Sequence, residues 1–279
     1  MPRANRHFIP GHVWHITHRC HEKDFLLKFS KDRCCWVSWL YEAKKRYGLC
    51  VLNYIVTSNH IHLLVQDTGH QAIPKSMQLL AGRTAQQYNQ RKQRRGAFWE
   101  DRYHATAIET DEHLHRCLVY IDLNMVRAGV VKHPSQWKHS GYQEIHTPPQ
   151  RKAIVDLQKL MKLCCFNDLS AFQLSHKNWV EETLKEDKLK RVAMWSESIA
   201  VGSKAFVENT QNALGILAKG RHCETDGDSF HLKEERVLYH FYPEKGQLNL
   251  ENGLFWDDKQ LESLGPTLGP QMDNLGLAL

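Results

Sequence analysis

Hydrophobic and polar positions change period several times along the first 130 or so residues, and each change marks an element. HVWHIT (12–17) alternates after a turn at Pro10 and Gly11, which predicts a short strand. Ser30 is placed to cap a helix running to about Tyr47, with Gly48 beyond its end. LCVLNYIV (49–56) and HIHLLVQ (60–66) read as two strands joined by the turn Thr57-Ser58-Asn59, a hairpin. A helical period then runs from about Pro74 to Arg94 and stops near Gly96, and RYHATAIE (102–109) is strand-like again. Thr110 or Asp111 caps one more helix, in which Leu114, Cys117, Leu118, Ile121 and Met125 recur at helical spacing until Gly129.

The order β-α-β-β-α-β-α predicts an α+β fold, a ferredoxin-like or RRM-like antiparallel sheet with helices on one face. Past His146 the period loosens. TPPQRK reads as a linker, residues from about 152 to 240 as polar helical segments, and the stretch from about Gly246, with Pro266 and Pro270, as poorly ordered. The expected division is a folded domain over 1–146, a helical extension over 147–245 and a tail over 246–279.

Composition narrows the class. Hydrophobic residues at 42% and charged residues at 24% of 279 are ordinary for a soluble protein. No apolar stretch approaches the roughly 20 residues that span a bilayer, and MPRANRHFIPGHVWH lacks the apolar core of a secretory signal, so a cytoplasmic protein with no membrane partner is expected. Eight cysteines without a CxxC point to reduced thiols rather than a disulfide framework or zinc ribbon.

The net charge of +6 says little until it is located. Arg91, Lys92, Arg94 and Arg95 fall together in QRKQRRG, and Phe98, Trp99, Arg102 and Tyr103 follow in AFWEDRY. Cations for phosphates and flat rings for bases suit single-stranded nucleic acid. A solvated helix end beside two core aromatics explains the same residues.

TSNHIHLLV carries the most unusual chemistry. Alternation puts His60, His62 and Leu64 on one face of the strand and Ile61, Leu63 and Val65 on the other. The two imidazoles then start roughly 6.6 Å apart, close enough to converge on one ion, and the apolar set can face the helices while the histidines take the open face. Tyr120 and Asn124, four residues apart in YIDLN, share a helical face distinct from the apolar stripe. An amide oxygen can complete a hard-cation site with two histidines, and a phenol beside a metal-polarised phosphate can act as a covalent nucleophile. Zinc and manganese are both compatible with two imidazoles. Tyr88 competes for the nucleophile's role, but Lys92, four residues on, cannot ligate a metal while protonated. His113 and Arg127, seven residues either side of Tyr120, share its face, and Arg127 is a candidate phosphate contact. His12, His15 and His18 read as strand-end or DNA-facing residues.

SNHIHLLV, AFWEDRYHATAI and YIDLNMVRAGVV, in that order, resemble the REP-associated tyrosine transposases, a branch of the single-tyrosine HUH transposases, over roughly residues 1–145. GHVWHITHRCHEK is similar to that family's opening strand. The resemblance implies that His60 and His62 are metal ligands, Asn124 the third ligand and Tyr120 the nucleophile, with Mg2+ or Mn2+ as cofactor. It also implies cleavage and rejoining of single-stranded DNA near hairpins of repetitive palindromes through a 5′-phosphotyrosine, without a nucleotide cofactor, by a monomer or homodimer. Relatives usually read Asn-Pro where this chain has Asn124-Met125, so the kink a proline would impose is not dictated here. KEDKLKR (185–191) and VAMWSESIAVGSKAFVE after it resemble an accessory tail that would contact DNA or support a dimer.

Two rival readings differ in class. One is a catalytically decayed module of the same fold that binds hairpins and cuts nothing. The other is a metal hydrolase activating water, but the nearest carboxylate, Asp67, falls on the strand face opposite the histidines.

Overall fold

The computed structural model describes residues 8–110, 112–185, 191–218, 220–227 and 229–234. Each element expected up to residue 110 is present: β1 (Val13–Arg19), α1 (Ser30–Tyr47), β2 (Cys50–Val56), β3 (His60–Gln66), α2 (Ala72–Lys92) and β4 (His104–Ile108). Gly48 ends α1 in the left-handed region at φ 66°, its amide donating to the Lys44 carbonyl, the conformation for which glycine is the default. The chain continues through α3 (Glu112–Asp122), α4 (Asn124–Arg127), α5 (Gly141–His146), α6 (Leu157–Leu163), α7 (Leu169–Lys185) and α8 (Met194–Glu197). β5 (Ala200–Gly202), α9 (Lys204–Leu214), β6 (Arg221–Asp226) and β7 (Ser229–Glu234) follow.

The strands form one sheet in the order β2-β3-β1-β4-β5-β7-β6. Its first four strands are antiparallel neighbours, the ferredoxin-like arrangement. β5 joins β4 in parallel, and β7 and β6 follow antiparallel. The extension is therefore not helical throughout as expected, but adds three strands. β6 and β7 turn on Gly227 at φ 59° within RHCETDGDSFHLKE, where few apolar residues mark the alternation. The described residues on both sides of 146 fall in one compact unit, and the expected tail at 246–279 lies outside the described residues.

Alternation along β1 assigns the two faces of the sheet. His18 stacks on Trp99, whose indole donates to the Ala81 carbonyl of α2, so α1 and α2, packed together, cover the face of Trp14, Ile16 and His18. The other face presents His15 and Thr17, and Thr17 lies opposite His62 on β3. It is not open. α3 lies over it, fixed by Asn53 Nδ2 of β2 donating to Asp122 Oδ1 at 3.0 Å, and the extension contributes α8 beside β1 and β4.

Edge strand β2 is buried along its whole length. Residues 139–156 cover its free side: the Val56 amide donates to the His139 carbonyl and the Asp156 amide to the Val51 carbonyl, which removes the exposed edge. Asp122 also faces His176 of α7 at 3.0 Å, with both side chains fully buried. Removing one partner of such a pair leaves the other's polar atoms without compensation. Asp122→Ala is expected to destabilise the fold by about 3–5 kcal/mol in chemical unfolding.

Candidate active site

The Thr57-Ser58-Asn59 turn does more than reverse the chain. The Thr57 hydroxyl donates to the His60 carbonyl (2.8 Å) and accepts from the His60 amide (3.0 Å), while Asn59 Oδ1 accepts from His60 Nδ1 at 2.7 Å. With its proton on Nδ1, His60 presents the Nε2 lone pair outward from the turn. Two residues on, His62 is almost completely buried and its Nδ1 donates to His15 Nε2 at 2.8 Å. His15 passes the polarity on, its Nδ1 donating to the Trp195 carbonyl of α8 at 2.7 Å. This chain of hydrogen bonds fixes the His62 tautomer and leaves its Nε2 as an acceptor.

Asn124 meets that nitrogen: its amide Nδ2 donates to His62 Nε2 at 2.8 Å. It reaches the histidines because the helix breaks one residue earlier, Leu123 adopting φ −78° and ψ 3° between α3 and α4. Arg127 supports the break. Its Nη2 donates to the Tyr120 carbonyl at 2.6 Å, and its guanidinium lies 4.1 Å from the centre of the Tyr120 ring. The break thus occurs without a proline, and the continuous helix expected to Gly129 is in fact two.

The Tyr120 ring lies 5.8 Å from that of His62 and 6.1 Å from that of His15, edge-on to both, with Trp195 at 6.2 Å. Tyr120 is 8% exposed. Burial pushes its phenol up from the ordinary tyrosine value, opposed by Arg127. Burial also lowers the imidazoles: His15 to about 3, His60 to about 4 with Arg19 adding to the effect, and His62 well below the ordinary histidine value. All three are neutral at pH 7, the state in which imidazole ligates a metal.

Among the described residues no three His, Cys, Asp or Glu side chains converge as a metal site. The donor set here is two imidazoles and one amide. Two Nε2 lone pairs and an amide that can present Oδ1 in place of Nδ2 fit a divalent cation and leave positions for phosphate oxygens. Asp122, the buried carboxylate of this helix, is directed away to Asn53 and His176.

The structure thus brings His60, His62, Tyr120 and Asn124 together, with Arg127 against the tyrosine. It does not bring in the basic cluster. Arg91 and Lys92 end α2 and Arg94 and Arg95 follow it, on the opposite face of the sheet. Arg91 pairs with buried Asp32, and Arg94 donates to the Ala97 carbonyl at 2.9 Å. Lys92 sits over Phe29, and half-buried Trp99 is engaged with His18 and Ala81. Arg95 and Arg102 are exposed. If this surface meets phosphates, Arg95→Gln with Arg102→Gln will flatten the dependence of log K on log salt by about 1–2 in slope without loss of stability, and an unchanged slope will place the DNA elsewhere. Tyr88 packs against Phe98 and Arg91 in that same region, away from the histidines.

Sequence reasoning missed His15 and Trp195. His15 is completely buried, and His18, 6% exposed, stacks on Trp99, so neither is a strand-end residue free to face DNA. His15→Phe keeps a ring but removes the support of His62. Divalent-cation affinity should fall by about 10–100-fold in a calorimetric Mn2+ titration, and unchanged affinity would remove His15 from the site.

Residues 11–124 match the family model described as IS200-like transposase. Among solved structures, the chain is similar to a REP-associated tyrosine transposase bound to a REP hairpin, with 19% identity and a TM-score of 0.44 over 52% of this chain and 84% of that one. It is also similar to a candidate transposase from Deinococcus radiodurans R1, with 17% identity and a TM-score of 0.31 over 40% of this chain and 88% of that one. No curated protein gives a match. The family match contains His60, His62, Tyr120 and Asn124, and Trp195 lies beyond it.

Proposed function

We propose that this chain, whose residues 11–124 match the IS200-like transposase family model, is a metal-dependent transposase that cuts and rejoins single-stranded DNA near hairpin repeats through a 5′-phosphotyrosine. The observation that carries the reading is the Tyr120 ring 5.8 Å from that of His62, which itself lies 5.0 Å from the His60 ring and accepts from the Asn124 amide.

His60, His62 and Asn124 would hold Mg2+ or Mn2+, which when bound polarises the scissile phosphate and offsets charge developing on its oxygens. The residues of the chain do the rest. His15 and the turn at Thr57 engage the Nδ1 atoms of His62 and His60, which leaves each Nε2 as the ligating nitrogen. Arg127 holds the Tyr120 ring through its face and fixes the carbonyl behind it, so the nucleophile's approach is set before DNA arrives.

The Tyr120 oxygen bonds to phosphorus as the bond from phosphorus to the upstream 3′-oxygen breaks. The phenolic hydrogen is lost and the leaving oxygen gains one, so the products are a 5′-phosphotyrosine and a free 3′-hydroxyl. One phosphodiester replaces another, and reversal rejoins DNA without a nucleotide cofactor.

The test is cleavage of single-stranded hairpin oligonucleotides from the host's repeats in Mg2+ or Mn2+, with EDTA as control. Products that require the cation support the reading. Hairpin binding without any cut, with both metals, would favour a binding module of the same fold.

A further inference from the structure

Tyr120 has two sides. One faces the histidines; the other forms part of the wall of a cavity of ≈520 Å³ between α3, α7 and α8. We propose that this cavity receives one unpaired nucleobase, from a nucleotide flanking the bond that Tyr120 attacks, a role that rests on the transposase reading above.

The volume lies within the roughly 300–1,000 Å³ of small-molecule sites. Its walls carry the rings a base stacks on. Trp195 is buried beside Tyr120, and Trp179 is half-buried with His115 stacked on it at 4.1 Å and 19°. Glu182 and Thr183 also line it. A carboxylate accepts hydrogen bonds from a base's amino or imino groups and repels a phosphate, so the Glu182 side suits the base edge. Arg127, against Tyr120, supplies positive charge on the side where the backbone must pass.

Position supports the occupant. A base hangs one sugar from its phosphate, so once the scissile phosphate is at the Tyr120 oxygen, a flanking base is within reach of any cavity that opens on that ring. One wall of the cavity comes from the extension, including Trp179, Glu182 and Thr183 from α7 and Trp195 from α8. The segment that supports His15 would then also select the base beside the cut.

The test is an equilibrium comparison with the full-length Tyr120→Phe protein in EDTA. The probes are a five-phosphate abasic chain and the same chain carrying a single central adenine, guanine, cytosine or thymine. At least one base is expected to raise affinity about tenfold, as stacking by one base does. Thr183→Trp, which fills the cavity from its wall, should remove that gain and leave the abasic affinity unchanged, and Trp179→Ala should reduce the gain. No gain from any base, or a full gain retained in Thr183→Trp, overturns the proposal. Failure of the transposase reading would show separately, as the absence of covalent product from the unsubstituted protein.

Discussion

Tyr120→Phe protein forms no covalent adduct with DNA, yields less than about one-thousandth of the cleaved strand, and binds hairpin DNA nearly as tightly as the unaltered chain. The substitution removes one oxygen. The ring keeps its edge contacts to His15 and His62 and its place under the Arg127 guanidinium, so neither the fold nor the helix break is disturbed. The buried phenol has no cavity-creating role that its loss would expose, since phenylalanine fills the same ring volume. A loss of this size with binding intact is the signature of a removed nucleophile rather than a removed contact. Residual cutting near the normal rate would point to another nucleophile, and Tyr88, on the far face of the sheet, would be the first to replace.

Replacing His60 and His62 together by alanine is expected to have the second largest effect. Cleavage should be lost at every Mg2+ or Mn2+ concentration that supports the unaltered protein, by more than the roughly 10–100-fold that losing a supporting partner costs. Stability should also fall, by about 1–3 kcal/mol, because His15 Nε2 is left buried without the donor that His62 supplies. The two effects separate by experiment. His62→Gln, which can still donate to His15, should recover most of the stability in urea unfolding and little of the cleavage. Recovery of cleavage by that variant would show that the imidazole is needed for packing and not for ligation.

How much of this was legible in the chain follows from how local each feature is. The TSN turn, the alternation around His60 and His62, and the four-residue spacing of Tyr120 and Asn124 are all set by neighbouring residues, so they can be read without knowing the fold. His15 could not be placed in the same way. Its role depends on the register that sets Thr17 opposite His62 and His15 opposite Leu64, and on a carbonyl 180 residues later in the chain. The interruption at Leu123 was also hidden, because Leu118, Ile121 and Met125 keep their helical spacing across it. Arg127, which bonds the Tyr120 carbonyl there, reads equally well as an ordinary charge near a helix end. The basic cluster is the opposite case, plain in the sequence while its local partners are not. QRKQRRG and AFWEDRY are conspicuous in sequence, yet Arg91, Arg94 and Trp99 spend their polar groups on Asp32, Ala97 and Ala81.

The extension was the least legible part. Three short strands and a four-residue helix carry too few apolar positions to set a period, yet they are stitched to β4 by the Ala107 amide donating to the Ile199 carbonyl and the Thr106 hydroxyl to the Ser198 carbonyl. Those bonds deliver Trp195 to His15. A segment that reads as polar and helical therefore holds one end of the histidine relay.

The most direct measurement identifies the residue joined to DNA. The protein is incubated with a single-stranded hairpin oligonucleotide and Mn2+, digested with nuclease and protease, and its peptides are sequenced by mass spectrometry. A nucleotide joined through its 5′-phosphate to the oxygen of Tyr120, absent when EDTA is present, is the predicted result. The same adduct on Tyr88, a 3′-phosphate linkage, or cut DNA with no peptide attached would contradict it.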